Sequence, residues 1–177
     1  MEINELVKRA KQGNSESFAL IYDQFAQRIF RYIRLKIQNK EQAEDILQDV
    51  FVKAYTGLRQ LNVDNMNFSA WLYKIASNTV NDYFRKKYRT PEIVAIDEKF
   101  DAASNVSVEK EAEINSDMER LILAFEQIPP LYREVLELRF IQNFAPDEVA
   151  KILGKTNLAV RLVQYRALKK VQSILRK

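Results

Sequence analysis

Apolar residues recur along this chain with the period of a helix. From Ser15 to Gln38, the positions Phe18, Ile21, Tyr22, Phe25, Ile29, Tyr32, Ile33 and Ile37 follow the i, i+3, i+4, i+7 spacing that lines one face of an amphipathic helix. Asn39 with Gln42 three residues on is a capping-box signal for a second helix, whose stripe is Ala43, Ile46, Leu47, Val50, Phe51 and Ala54 and which ends near Gly57. After a polar stretch, Asn67 or Ser69 can cap a third helix with Trp71, Leu72, Ile75, Ala76, Val80 and Tyr83 on its buried face and Lys74, Asn78, Asn81, Asp82 and Arg85 on the other.

The C-terminal part repeats the theme. A helix from about Val108 to Gln127 stops at Pro129-Pro130, and Pro130 can occupy the first turn of the next, which runs through Phe140. Then Pro146-Asp147-Glu148 opens a short helix that ends at Gly154, and a longer one begins at Thr156 or Asn157 and continues to Leu175, burying Val160, Val163, Ala167 and Val171. That order is the helix-turn-helix pattern, in which the turn sets the angle that carries the second helix into a DNA major groove.

Composition narrows the choice. The 177 residues include only 3 Gly and 4 Pro, against about 20 expected from average usage, so a turn-rich β architecture is not expected. With no Cys and no His, disulfides, thiolate nucleophiles, zinc sites and the commonest general base are excluded as well. No apolar run approaches the ~20 residues of a membrane span, and Met1 to Glu5 does not open a signal peptide, so the expectation is a soluble, cytoplasmic protein.

The net charge of +4 is unevenly spread. Residues 1–89 hold 15 Lys and Arg against 10 Asp and Glu; residues 90–117 hold 2 against 8; residues 118–177 hold 11 against 6. The acidic middle lacks sustained periodicity before Ser107 and reads as a flexible linker, with an ordinary long surface loop of one domain as the alternative. The chain is thus expected to be all-α, with two small helical domains (1–89 and 118–177) joined by an acidic linker (90–117) and a helix-turn-helix in the second.

Three faces carry candidate chemistry. On the last helix Arg161, Tyr165, Arg166 and Lys169 point outward, with Arg161 placed to read a guanine edge and Arg166 and Lys169 to neutralise phosphates; an ordinary helical hairpin with a solvated basic face is the alternative. Around the third helix, Asn67, Phe68, Trp71, Tyr73, Asn78, Asp82, Tyr83, Arg85, Lys86, Lys87 and Arg89 interleave aromatics with amides and bases, as single-stranded nucleic acid would require, although Trp71 also fits the core. On the second helix Glu41, Glu44, Asp45 and Asp49 gather with Gln48, as a docking surface for a basic partner or as a solvated face. No ligand motif accompanies them for a metal.

Taken together, Ala43-Glu44-Asp45-Ile46-Leu47-Gln48-Asp49-Val50-Phe51 and Phe68-Ser69-Ala70-Trp71-Leu72-Tyr73-Lys74-Ile75-Ala76-Ser77-Asn78, with Asp82 and Arg85, resemble region 2 of bacterial sigma factors. Ile128-Pro129-Pro130-Leu131-Tyr132-Arg133-Glu134-Val135 and the helix with Ala159-Val160-Arg161 and Tyr165-Arg166-Ala167 resemble region 4, and the two regions alone resemble the extracytoplasmic-function (ECF) group. The resemblance implies a non-enzymatic factor without metal or cofactor that binds core RNA polymerase through its β′ clamp and β flap, directs it to promoter DNA and assists melting, with an anti-sigma factor as a further candidate partner and no membrane insertion. By position it implies polymerase docking through Asp45, Gln48 and Asp49. It implies minus-10 recognition through Asn67, Phe68, Asn78, Asp82 and Arg85, with a flipped base held in the loop Leu61 to Ala70. It implies minus-35 recognition through Thr156, Asn157, Arg161, Leu162, Tyr165, Arg166 and Lys169, and a linker threaded through the RNA-exit path. Ala145 departs from the family's usual Ser or Thr cap, Leu158 stands where Gly is frequent, and Leu162 where a small polar residue often contacts DNA. The alternative is a stand-alone helix-turn-helix regulator that does not dock on polymerase.

Overall fold

A computed structural model of the chain describes residues 2–61, 67–89, 121 and 123–176. Every regular element among them is helical. The first half holds α1 (Ile3–Lys11), α2 (Ser15–Arg34), α3 (Lys40–Leu58) and α4 (Phe68–Arg89). The second holds α5 (Pro130–Leu136), which passes into a π turn (Glu137–Ile141), then α6 (Pro146–Leu153) and α7 (Asn157–Leu175). Residues 121 and 123–126 are helical too, so the end of the helix expected before Pro129 is observed; its earlier part and the acidic linker lie outside the described residues.

Local signals set the helix starts. The Asn14 side chain accepts from Ser17 N–H at 2.7 Å and Asn39 from Gln42 N–H at 2.9 Å, each satisfying an otherwise orphaned donor. The Gln42 side chain, which a full capping box would turn back to Asn39, instead accepts the Tyr83 hydroxyl at 2.6 Å, so it ties α3 to α4. Helix α2 stops at Arg34 rather than at Gln38, because Asn39 needs extended backbone (ψ 123°) to cap α3; the Arg34 guanidinium donates to Ile37 O at 3.1 Å across the intervening turn. Helix α1 is an addition to the expected set. It is too short for a long stripe, but Leu6, Val7 and Ala10 are buried against α2.

The core of the first half lies between α2, α3 and α4, where Ile21, Ile29, Val50, Ala54, Leu72 and Val80 are wholly buried. Gly57 permits the close approach of α3 and α4: a Cβ there would stand 3.2 Å from the Trp71 ring, tighter than an ordinary contact. Trp71 is accordingly half-buried.

The two halves lie against each other, α6 packing on α4. Tyr73 of α4, 1% exposed, forms edge contacts with Tyr32 of α2 (5.3 Å) and with Phe144 before α6 (5.2 Å), an aromatic chain that crosses the junction. Beside it the Glu134 carboxylate of α5 accepts the Tyr32 hydroxyl and pairs with Lys36 at 2.7 Å. Lys74 donates to Ile152 O at 3.2 Å, where cation and carbonyl meet at the C-terminal end of α6. Two expectations are corrected here. Lys74 is not on a solvated face, and Tyr73 is not available to bases, because both are turned into the junction by the docking of α6. Burial raises the Tyr32 hydroxyl pKa well above its ordinary value, with the Glu134 charge adding to the shift; burial, then the Glu137 charge, raises Tyr73 as well. The Tyr73 hydroxyl has no hydrogen-bond partner among the described residues.

Two outcomes are expected. Lys36→Met would leave Glu134 buried and unpaired, at a cost of about 3–5 kcal/mol while the junction stays closed. The halves should therefore part, giving a larger radius of gyration in small-angle X-ray scattering at unchanged helix content; an unchanged radius would refute the role of the pair. A raised tyrosine pKa contributes stability that is complete below the unfolded value of about 10 and is lost as pH climbs toward the folded value. Between pH 9 and pH 11 the urea midpoint should fall more for the wild type than for the Tyr32→Phe, Tyr73→Phe double variant.

Candidate nucleic-acid interface

The helix-turn-helix is assembled by a chain of local bonds. Pro146 opens α6, and the Glu148 carboxylate accepts Ala145 N–H at 2.7 Å, supplying the half of a capping box that does not need a side-chain acceptor at Ala145. Gly154 closes α6 in the left-handed conformation (φ 64°), and Lys155 N–H reaches Ala150 O at 2.9 Å. The Thr156 hydroxyl then accepts Ala159 N–H at 3.2 Å and starts α7. The π turn is closed by Gln142 N–H on Glu137 O at 3.0 Å. It buries Leu138 while leaving Phe140 and Ile141 exposed, and its Arg139 holds Gln164 of α7 at 2.9 Å and Phe144 O.

On α7, Val160, Ala167 and Val171 are buried and Val163 half-buried, as expected. Arg161, Leu162, Tyr165, Arg166 and Lys169 are all exposed on the other side. Asn157 accepts Arg161 Nε at 2.7 Å, leaving the terminal amino groups of the guanidinium to project beyond the helix. The Lys169 ammonium sits 5.2 Å from the centroid of the Tyr165 ring. Of the seven positions singled out here, five therefore form an open face, while the polar atoms of Thr156 and Asn157 hold the helix start and the Arg161 side chain.

The positions singled out near α4 are scattered. Asn67 caps α4, its Oδ1 accepting Ala70 N–H at 3.1 Å, and its Nδ2 donates to Glu148 of α6 at 2.6 Å. Phe68 is 3% exposed, 5.7 Å from the Phe25 ring and 5.5 Å from Trp71. That corrects its expected place on the open surface: the first turn of α4 is seated on α2, so Phe68 anchors the helix. Asn78 is exposed. Asp82 pairs with Arg85 at 3.3 Å and reaches Lys53 of α3 at 4.0 Å. Lys53, which also donates to Thr79 at 3.2 Å, is a cation of this face that sequence reasoning missed, because it belongs to α3 and reaches the face only across the α3/α4 packing. Arg85, Lys86 and Lys87 extend the basic end of α4. Half of the loop expected to take a flipped base, residues 62–66, lies outside the described residues.

Asp45, Gln48 and Asp49 are exposed together on α3, and neither aspartate has an ion-pair partner among the described residues. Gln48 and Glu44 rim a groove between α2 and α3 floored by Leu47, Ala26 and Phe30. Val52 and Tyr55 continue an apolar strip along the same helix. An apolar-floored groove on the helix that carries this acidic strip is suited to a basic amphipathic helix. Among the described residues no acidic cluster could hold a metal ion, and no helix is long and apolar enough to cross a membrane.

Comparison with known proteins places both halves. The family profiles described as Sigma-70 region 2 and Sigma-70, region 4 match residues 21–90 and 118–171. The chain is 30% identical to the ECF RNA polymerase sigma factor BldN of Streptomyces coelicolor, over 97% of this chain and 65% of that protein. It is also 30% identical to the ECF RNA polymerase sigma factor SigW of Bacillus subtilis, over 94% of this chain and 91% of that one. In fold it resembles the sigma factor RpoE solved in complex with the anti-sigma factor NepR from Bartonella quintana, with a TM-score of 0.72 at 21% identity over 91% of this chain and 98% of that one.

The turn between α6 and α7 favours glycine at position 154. A Cβ at Gly154 would have only the Lys74 ammonium nearby, at 3.6 Å, so Gly154→Ala meets left-handed backbone strain rather than a clash. It should cost about 1–2 kcal/mol in urea unfolding.

Proposed function

The chain belongs to the ECF group of sigma-70 family RNA polymerase sigma factors, and from that premise we propose how its faces divide the work of transcription initiation. It directs core RNA polymerase to promoters, and the bond-making chemistry belongs to the polymerase. The acidic strip of α3, with Asp45, Gln48 and Asp49, docks on the β′ clamp. The outward side of α4, with Asn78, Asp82, Arg85 and the Asn67 cap, faces the minus-10 element. The outward side of α7, with Arg161, Leu162, Tyr165, Arg166 and Lys169, enters the major groove of the minus-35 element, and the second half docks on the β flap. Residues 1–89 and 118–177 act as the two domains and 90–117 as the acidic linker between them. An anti-sigma factor is a further partner, and the site of action is the cytoplasm, where the promoter and the polymerase are.

The observation that carries this reading is the pairing, in one chain, of an exposed acidic helix over an apolar groove with a basic helix-turn-helix. A regulator acting alone has use for the second and none for the first. In the closed arrangement Asn67 is held by Glu148 and the Tyr73 side of α4 is covered. Engagement of both promoter elements therefore begins with release of α6 from α4.

The test is holoenzyme assembly and transcription. Asp45→Lys reverses a charge at the centre of the docking strip and should weaken binding to core polymerase about tenfold or more, with matching loss of promoter-directed transcription and unchanged helix content. Undiminished polymerase binding by Asp45→Lys would overturn the docking strip, and promoter binding by a wild-type chain that fails to bind core polymerase would favour the stand-alone regulator.

A further inference from the structure

The outward ridge of α7 is not only basic. At about 100° per residue, Leu158, Leu162, Tyr165 and Lys169 fall along one line on the side of α7 opposite Val160, Ala167 and Val171, with Arg161 on one flank and Arg166 on the other. Leu158 is 78% exposed and Leu162 45%. A single exposed leucine needs no explanation. Two in successive turns are different when they lie at the N-terminal end of the second helix of a helix-turn-helix, the end that meets base edges. They are not covered by the first half of the chain, whose docking uses α6 and leaves this ridge open.

Leucine can neither donate nor accept a hydrogen bond, so it contributes nothing to reading the amide and carbonyl pattern of the groove. The apolar feature that the floor of the major groove offers is the C5 methyl of thymine. The cations select the occupant: Arg161 and Arg166 flank the ridge and Lys169 continues it, giving positive charge suited to a phosphate-lined groove. Arg161 is also oriented by Asn157, with its terminal amino groups free to meet a guanine.

We propose that Leu158 and Leu162 read thymine methyl groups in the minus-35 element, next to the base pair contacted by Arg161. The proposal rests on the reading of α7 as the promoter-recognition helix and adds to it the kind of base read at two steps. Leu158 becomes a specificity-determining position although its residue type departs from the small residue frequent there.

The experiment uses the holoenzyme formed from the full chain and core polymerase, with promoter duplexes selected by that holoenzyme from a randomised pool. Each thymine of the minus-35 element is replaced in turn by deoxyuridine, which removes the methyl and keeps the hydrogen-bonding edge. The expected result is about three- to fivefold weaker binding at one or two positions, the loss anticipated for uncovering one methyl. Leu158→Ala and Leu162→Ala holoenzymes should each bind the thymine and deoxyuridine duplexes equally at one of those positions. Both substitutions are at exposed helical sites, and circular dichroism checks that the fold is kept. If deoxyuridine has no effect at any position while Arg161→Ala abolishes selective binding, the methyl proposal is overturned and the recognition helix stands. If Arg161→Ala also leaves selectivity untouched, the underlying reading of α7 fails. Self-association of the free chain that Leu158→Ala abolishes would instead assign the ridge to a second copy and overturn the proposal.

Discussion

The buried carboxylate of Glu134 decides how this molecule is put together. It meets Lys36 and the Tyr32 hydroxyl, groups contributed by the other half of the chain. A charge removed from water in this way is tolerable only while both partners stay in place. The aromatic contacts of Tyr73 with Tyr32 and Phe144 exclude water around it, and Lys74 completes the junction at the end of α6. The same junction contains the unpartnered Tyr73 hydroxyl, a deficit of about 1–3 kcal/mol. Closure is thus specific in its geometry without being optimised for strength.

With the halves closed, the exposed chemistry is divided among three helices. The acidic strip of α3 and the basic ridge of α7 remain open, whereas the Tyr73 and Lys74 side of α4 is covered and Asn67 is engaged by Glu148. The closed form therefore presents the acidic strip and the basic ridge, and covers part of the α4 surface. Local bonds explain why the open ridge is well defined before any partner arrives: Thr156 starts α7, Asn157 holds Arg161, Arg139 ties the preceding loop to Gln164, and Tyr165 supports Lys169.

Much of this was legible in the sequence, where local rules govern. Asn39, Asn67 and Thr156 read as caps because a side chain bonds a donor three residues on, whatever surrounds it. Gly154 reads as a helix end because left-handed backbone is cheap only for glycine. Val160, Ala167 and Val171 mark the inward side of α7, so its outward side follows by geometry. Phe68, Tyr73 and Lys74 resisted the same treatment. Each sits on α4 among residues of nucleic-acid character, and whether a tyrosine or lysine there faces solvent or protein depends on which helix packs over it. Helix α1 was missed because nine residues are too few to establish a period.

The sequence by itself determined where the helices after α1 begin, which side of α7 turns away from the core, and which family both halves belong to, since these rest on spacing, capping and motif order within short stretches. Tertiary structure alone decided that Glu134 is buried, that Lys53 joins the face of Asp82, and that Asn67 answers to Glu148. Those outcomes join residues far apart along the chain, 102 positions for Tyr32 and Glu134. A hydrogen bond or ion pair of that kind leaves no periodic trace, because it depends on the distance between helices and not on the spacing within one.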